Sequence, residues 1–315
     1  MSNLLTNPRQ WRNKALLIKL ETTYGTDSTP TGAANWIEAR NVTLTPMDND
    51  KVARNIDLPY MGSAGDIVVS SWAKLTFDVA LVGSGTAGTA PKWGPLMVAS
   101  GMAETIVAAT SATYNLVSTS FSSACAYMNI DGVNHAMNGG RGDVKFKFGA
   151  KGTPMLSFSF DFNYVAPAAL ALPTVTRTGW QIEEGVNSAN TLPLSINSVN
   201  LAMSDLEYGL GNKVVRNDLP GPQREVAITD RTPTCTATVL APALATFNPF
   251  TLVAAATTVP VTTTHGSTAG LKIQSTLQAR ISNVEYTNVE NMAAYKLTLQ
   301  PVPVNGNDEI VVANI

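Results

Sequence analysis

The chain has 315 residues, long enough for one large domain or two ordinary ones with a core each. Charged residues make up 14 % and hydrophobic residues 44 %, with a mean hydropathy of +0.06; a typical soluble domain carries about 25 % charge, so much of this surface is expected to be covered by neighbouring subunits. A net charge of −2 and a pI near 5.7 exclude tight nucleic-acid binding by phosphate neutralisation, and the apolar runs are too short and too broken by Pro to cross a membrane.

In chain order, the opening "MSNLLTNPRQWRNK" lacks an apolar stretch followed by a cleavage site, and is not expected to be a signal peptide. "NVTLTPM" from Asn41 predicts a strand. The stretch Met47 to Gly65, "MDNDKVARNIDLPYMGSAG", is long for a hairpin connection, where two to five residues are usual. It mixes Asp48, Lys51 and Arg54 with Ile56, Leu58, Tyr60 and Met61. Such a loop is a candidate contact arm, in which apolar anchors supply affinity and charges set the register; a loop folded over its own sheet is the alternative. Leu75, Phe77 and Val79 alternate with Thr76 and Asp78, the period of a half-buried strand.

Gly83, Gly85 and Gly88 then fall in the G-x-G-x-x-G spacing of dinucleotide-binding folds, and Glu104 stands about 20 positions on, where a ribose-binding acid would lie. A nicotinamide-dependent oxidoreductase would rest on this motif alone. The next helix, however, is expected to start at Pro95 behind an N-cap at Gly94, outside the motif, and Pro91 and Gly94 would disrupt an earlier start. The glycines therefore read as a loose connection, and no cofactor is expected. "NGG" before Arg141 reads as a turn into a strand, which makes "RGD" at Arg141 to Asp143 a structural feature rather than an adhesin's integrin ligand. "NVT" at Asn41 sits on a predicted strand and is not expected to be glycosylated. Leu156, Phe158, Phe160, Phe162 and Tyr164 alternate as a long strand, followed by the Ala/Pro joint "APAALALPT", Ala166 to Thr174.

Beyond the joint the pattern recurs. "KVARNIDLP" at Lys51 to Pro59 is matched by "KVVRNDLP" at Lys213 to Pro220. Upstream, "SVNLAMS" from Ser198 faces "NVTLTPM". Downstream, Cys235, Ala237 and Val239 answer the first alternating strand, "FNPFTLVA" from Phe247 answers "WGPLMVAS" from Trp93, and Tyr295, Leu297 and Leu299 answer the long aromatic strand. The corresponding strand-to-helix link, "APALAT" from Ala241, contains no glycine. The reading is an all-β chain with minor α, in two tandem sandwich or barrel modules, residues 1–170 and 171–315, each with one short flanking helix. Cys125 and Cys235 are expected to be buried thiols. His135 and His265 stand in no ligand spacing, so neither a metal nor a catalytic group is expected.

"LLIKLETTYGTDSTPTGAAN", "VALVGSGTAGTAPKWGPLMVASG", "NIDGVNHAMNGGRGDVKF" and "GLGNKVVRNDLPG" together resemble the major tail tube protein of long, non-contractile phage tails, over nearly the whole chain. The resemblance implies a β-sandwich module whose inner sheets join into rings, with long loops and terminal arms locking ring to ring. Met47 to Gly65 would be one inter-ring loop and Tyr208 to Pro222 its shorter counterpart. Asp48, Lys51, Arg54, Ile56, Leu58, Tyr60, Met61, Lys213, Arg216 and Leu219 would then be contact residues. The N-terminal arm, Met1 to Trp11, and the tail, Asn305 to Ile315, would be further contacts. Two modules per chain imply three chains per pseudo-sixfold ring. The implied partners are further copies of the chain together with tail-tip, tape-measure and tail-terminator proteins. Genomic DNA would pass through the lumen without specific binding, and the place would be the virion tail, assembled in the host cytoplasm. The tube of a contractile or type VI-like system is the rival structural reading; its subunits are normally single modules.

Overall fold

The computed structural model describes residues 8–315 and is predominantly β, with 53 % strand, 5 % helix and three short helices. The first half runs β1 (Lys14–Leu20), the four-residue α1 (Gly32–Asn35), β2 (Ala39–Ala53), β3 (Asp66–Ala80), α2 (Gly94–Ala99), β4 (Met102–Val107), β5 (Ser111–Leu116), β6 (Ala124–Ile130), β7 (Val133–Gly149), β8 (Met155–Tyr164) and the two-residue β9 (Ala168–Ala169). The second half runs β10 (Leu194–Ile196), β11 (Val199–Leu201), β12 (Met203–Gly209), β13 (Asn212–Asp218), β14 (Arg224–Arg231), β15 (Thr234–Leu240), α3 (Pro249–Ala254), β16 (Thr258–His265), β17 (Ile273–Val289), β18 (Met292–Pro301) and β19 (Ile310–Asn314).

Period-two patterning decides which faces are buried. Along β8, Leu156, Phe158, Phe160 and Phe162 are buried while Ser157, Ser159, Asp161 and Asn163 are half-exposed. Phe77 of β3 lies opposite Phe158, and Leu75 opposite Phe160. The second half repeats this register, with Ala237 opposite Leu297 and Cys235 opposite Leu299. The long β7 pairs with β6 near its start and with β8 further along, as β17 pairs with β16 and β18.

Two further pairings stitch the halves together. β7 pairs with β12, placing Phe146 beside Tyr208 with ring centroids 4.4 Å apart, and β19 pairs with β5. Among the described residues, seventeen strands therefore form one hydrogen-bonded sheet, and an apolar cluster draws on both halves. β13 and β14 form a separate two-stranded sheet.

Several local expectations are corrected. Leu44 lies opposite Leu75, whereas the residue opposite Cys235 is Tyr208. The counterpart of β2 is thus β12, seven residues later than the match of "NVTLTPM" to "SVNLAMS" implied. Much of the latter forms β11, paired with β10. The short likeness of "NVTL" to "SVNL" does not set register, which is fixed by pairing with β3 and β15. Asn248 caps α3, accepting from the Phe250 and Thr251 N–H groups at 3.1 and 3.3 Å. In α2 the cap position is Trp93, with no side-chain cap, and Gly94 is the first helical residue. "NGG" is no turn: Asn138 to Arg141 is a bulge inside β7, with Gly139 at φ +66° supplying the left-handed residue.

The three glycines are not a loose connection either. A Cβ on Gly83 would lie 2.1 Å from the Gly270 carbonyl oxygen, and Gly85 N–H donates to that oxygen at 3.0 Å. Asn314 of β19 completes the lock: its Oδ1 accepts from Ser84 N–H at 3.0 Å, and its Nδ2 donates to the Gly270 and Lys272 carbonyls at 2.8 and 3.0 Å. Gly83 lets two loops from opposite halves touch backbone to backbone, whereas a Cβ on Gly88 would meet Ala109 N at 2.2 Å within the first half.

Candidate functional site

The first part of the stretch predicted as a loop, residues 47–53, is strand. β2 continues to Ala53 and β3 begins at Asp66, so Met47 onward forms a hairpin arm whose turn spans residues 54–65. Asp48 pairs with Trp72, Asp50 with Ser70 and Val52 with Ile67, with bulges along the way. Among the described residues β2 pairs with no strand other than β3, which leaves its outer edge open. The arm exposes Met47, Val52, Ile56, Tyr60, Met61, Ile67, Val68 and Val69, with Met61 wholly in solvent.

A two-stranded ribbon with so little packing is marginal by itself. The hairpin β13–β14 from the other half holds its base. Arg216 donates through Nη1 to Asp48 Oδ2 at 2.7 Å and through Nη2 to Asp161 Oδ1 at 2.6 Å, tying β13 to both β2 and β8. Arg224 donates to the Ser71 carbonyl at 2.7 Å and lies 5.1 Å from the Trp72 ring. Trp72 Nε1 donates to Asp50 Oδ2 at 3.1 Å, and the Ser70 hydroxyl donates to the same oxygen. The Ser70 bond first, and the indole second, hold the Asp50 carboxyl below its ordinary value. Further along, Val226 N–H donates to the Tyr24 hydroxyl at 2.6 Å, and Arg141 donates to the Val226 and Phe121 carbonyls at 2.8 and 3.0 Å.

The structure therefore separates the expected contact residues. Asp48 and Arg216 meet each other within the chain. Lys51, Arg54, Ile56, Tyr60 and Met61 are exposed on the arm, and Leu58 is half-buried in its turn. Lys213 is exposed at the start of β13, and Leu219 is exposed at the turn of the second hairpin, where its N–H donates to the Gln223 carbonyl at 3.0 Å. Sequence reasoning overlooked Ile67, Val68 and Val69. The unbroken β-branched run in "DIVVSS" was the available signal, since a strand apolar at successive positions has both faces apolar. It also overlooked Arg224 and Trp72.

Of the proposed terminal arms, residues 1–7 lie outside the described residues. Trp11 is exposed, with Lys14 Nζ 3.2 Å from its ring centroid. The tail is mostly internal: β19 lies between β17 and β5, and Ile310, Val312 and Asn314 are buried. The "RGD" side chains also turn inward, since Arg141 serves β14 and Asp143 accepts from Asn212 N–H at 3.0 Å.

Cys125 and Cys235 are free and buried, and burial pushes each thiol up to about 12. His265 is buried, with Nδ1 2.8 Å from Thr191 Oγ1, and burial lowers its pKa. Among the described residues no group of three or more His, Cys, Asp and Glu could hold a metal ion, and no helix is long and apolar enough to cross a membrane. What the arm offers chemically is apolar contact area, an open strand edge and a few fixed charges. No protein-family model matches the chain, and no match is found among curated proteins.

Proposed function

We propose that the protein is a structural subunit that assembles with copies of itself into stacked rings, as the tail tube of a long-tailed phage does, forming a conduit for DNA. The observation that carries this reading is the arm: eight large apolar side chains presented on a ribbon, beside an open fifteen-residue edge strand. Exposed patches of this kind mark protein contact surfaces, and open edges promote pairing with another chain. The low charge of the chain agrees, since surfaces buried beside and above a subunit need little of it. Head-to-tail contacts that do not close build stacks of undefined length, so tail length would be set by another component. The repeat of the β3–β8 pairing in β15–β18 favours three chains per ring.

Negative-stain electron microscopy of the concentrated protein tests the reading. Striated tubes with a central channel, whose averaged rings show three chains, are the expected result. Uniform single-chain particles at high concentration, with Tyr60→Ser and Met61→Asp leaving their behaviour unchanged, would overturn it.

A further inference from the structure

The arm has a counterpart at the other end of the molecule. The register runs from Trp72 opposite Asn163 near the arm to Ala80 opposite Met155, then to Lys147 on β7 and, beyond it, Gly149 opposite Asp205. Fifteen residues of β3 separate the two ends, roughly 45 Å of strand. Just past Gly149, Ala150 N–H donates to the Ser204 carbonyl at 2.8 Å and Lys151 N–H to the Val186 carbonyl at 2.9 Å. These bonds frame a groove of about 390 Å³ walled by Ala150, Val186, Leu192, Pro193 and Met203. That volume lies within the roughly 300–1,000 Å³ of ordinary binding sites.

We propose that this groove receives the arm tip, Ile56–Met61, of a second copy; the inference rests on the stacking read above and names the surface that accepts the arm. Donor and acceptor lie at opposite ends of the strands, so the contact is heterologous and repeats without closing. Their chemistry is complementary. The tip "IDLPYM" carries one charge, Asp57, among apolar side chains, and the groove lining carries one, Lys151. Lys151 bonds Glu290 at 2.7 Å, but both side chains are largely exposed, so the pair is weak and free to exchange for Asp57. Leu192, 62 % exposed, is the apolar surface that Tyr60 and Met61 would cover. A contact of this kind concentrates its energy in one or two anchors seated in a pocket.

The test uses two full-length variants, Met61→Cys and Leu192→Cys, mixed under tube-forming conditions with a short bis-maleimide. Both positions are exposed, so the fold is retained, and the native thiols are buried. Cross-linked dimers in the mixture, absent from either variant alone, are expected. Lys151→Asp and Asp57→Lys should each raise the assembly threshold about fivefold and together restore it. Tubes that form without this cross-link, or Met61→Cys cross-linking to itself, would overturn the groove as acceptor and leave the tube reading standing. Absence of both tubes and cross-links would overturn both.

Discussion

Replacing Arg216 by Met removes the guanidinium that joins the second hairpin to β2 and β8 while keeping most of the aliphatic stem. The Arg216 side chain is 21 % exposed, Asp161 18 % and Asp48 48 %. Exposed pairs contribute about 0.2–1 kcal/mol, whereas stripping one partner from a buried pair costs about 3–5 kcal/mol. The Asp161 contact falls between these limits, near 2 kcal/mol, and the Asp48 contact stays below about 1 kcal/mol. Arg216→Met should therefore destabilise the chain by about 2–3 kcal/mol, read as a lowered urea midpoint. Hydrogen exchange by local opening should accelerate at residues 48–53 and along β13, and elsewhere in the sheet only for amides that exchange through global unfolding. Arg216→Lys keeps the charge but not the planar fork, and should recover only part of the loss. A double-mutant cycle with Asp161→Asn isolates the coupling. A cost below about 0.5 kcal/mol with unchanged exchange would refute the intramolecular clasp; abolished assembly in the same variant would return Arg216 to an intermolecular role.

Three further outcomes are expected. Gly83→Ala should cost about 1–3 kcal/mol in urea unfolding, because its Cβ would meet the Gly270 oxygen at 2.1 Å; Gly185→Ala, whose Cβ would lie 3.8 Å from the Gly152 oxygen, should be nearly neutral, and equal costs would sink the close-packing account. Native protein should react negligibly with a thiol reagent at pH 8 and release two equivalents once denatured, because Cys125 and Cys235 are buried and their pKa values stand near 12; rapid native labelling would contradict this. Burial lowers the pKa of His265 more than the Glu184 charge and backbone raise it, so the unfolded chain takes up a proton first as pH falls through about 6.5. Stability should be level above that pH and decline below it by up to about 1.4 kcal/mol per pH unit from this residue. Half-buried His135 acts in the same direction, and Asp50 only below about 3.8. His265→Gln should flatten the slope between pH 6.5 and 5.5, and an unchanged slope would rule His265 out as its source.

The β character of the chain was legible in its residues, because alternation of Leu156 to Phe162 against Ser157 to Asn163 leaves a strand only one face to bury. The α3 start was equally local: Asn248 and Pro249 carry the cap and the fixed backbone angle within two positions. The arm was recognised by composition, yet its strand pairing and the exposed Ile67 to Val69 emerge only when β2 meets β3. Arg216 could not be assigned from its place in a repeated motif, since Asp48 and Asp161 come to it from 168 and 55 positions away. The glycines of the G-x-G-x-x-G spacing behave likewise. Their spacing is local information, but what Gly83 makes room for is Gly270 and Asn314 of the other half, while Gly85 sits against Gln181 and Gly88 against the backbone at Val107 to Ala109. Sequence determined what each segment prefers and which face it hides; long-range pairing of β7 with β12 and β19 with β5 decided which segments meet, because contacts between distant positions leave no periodic trace along the chain.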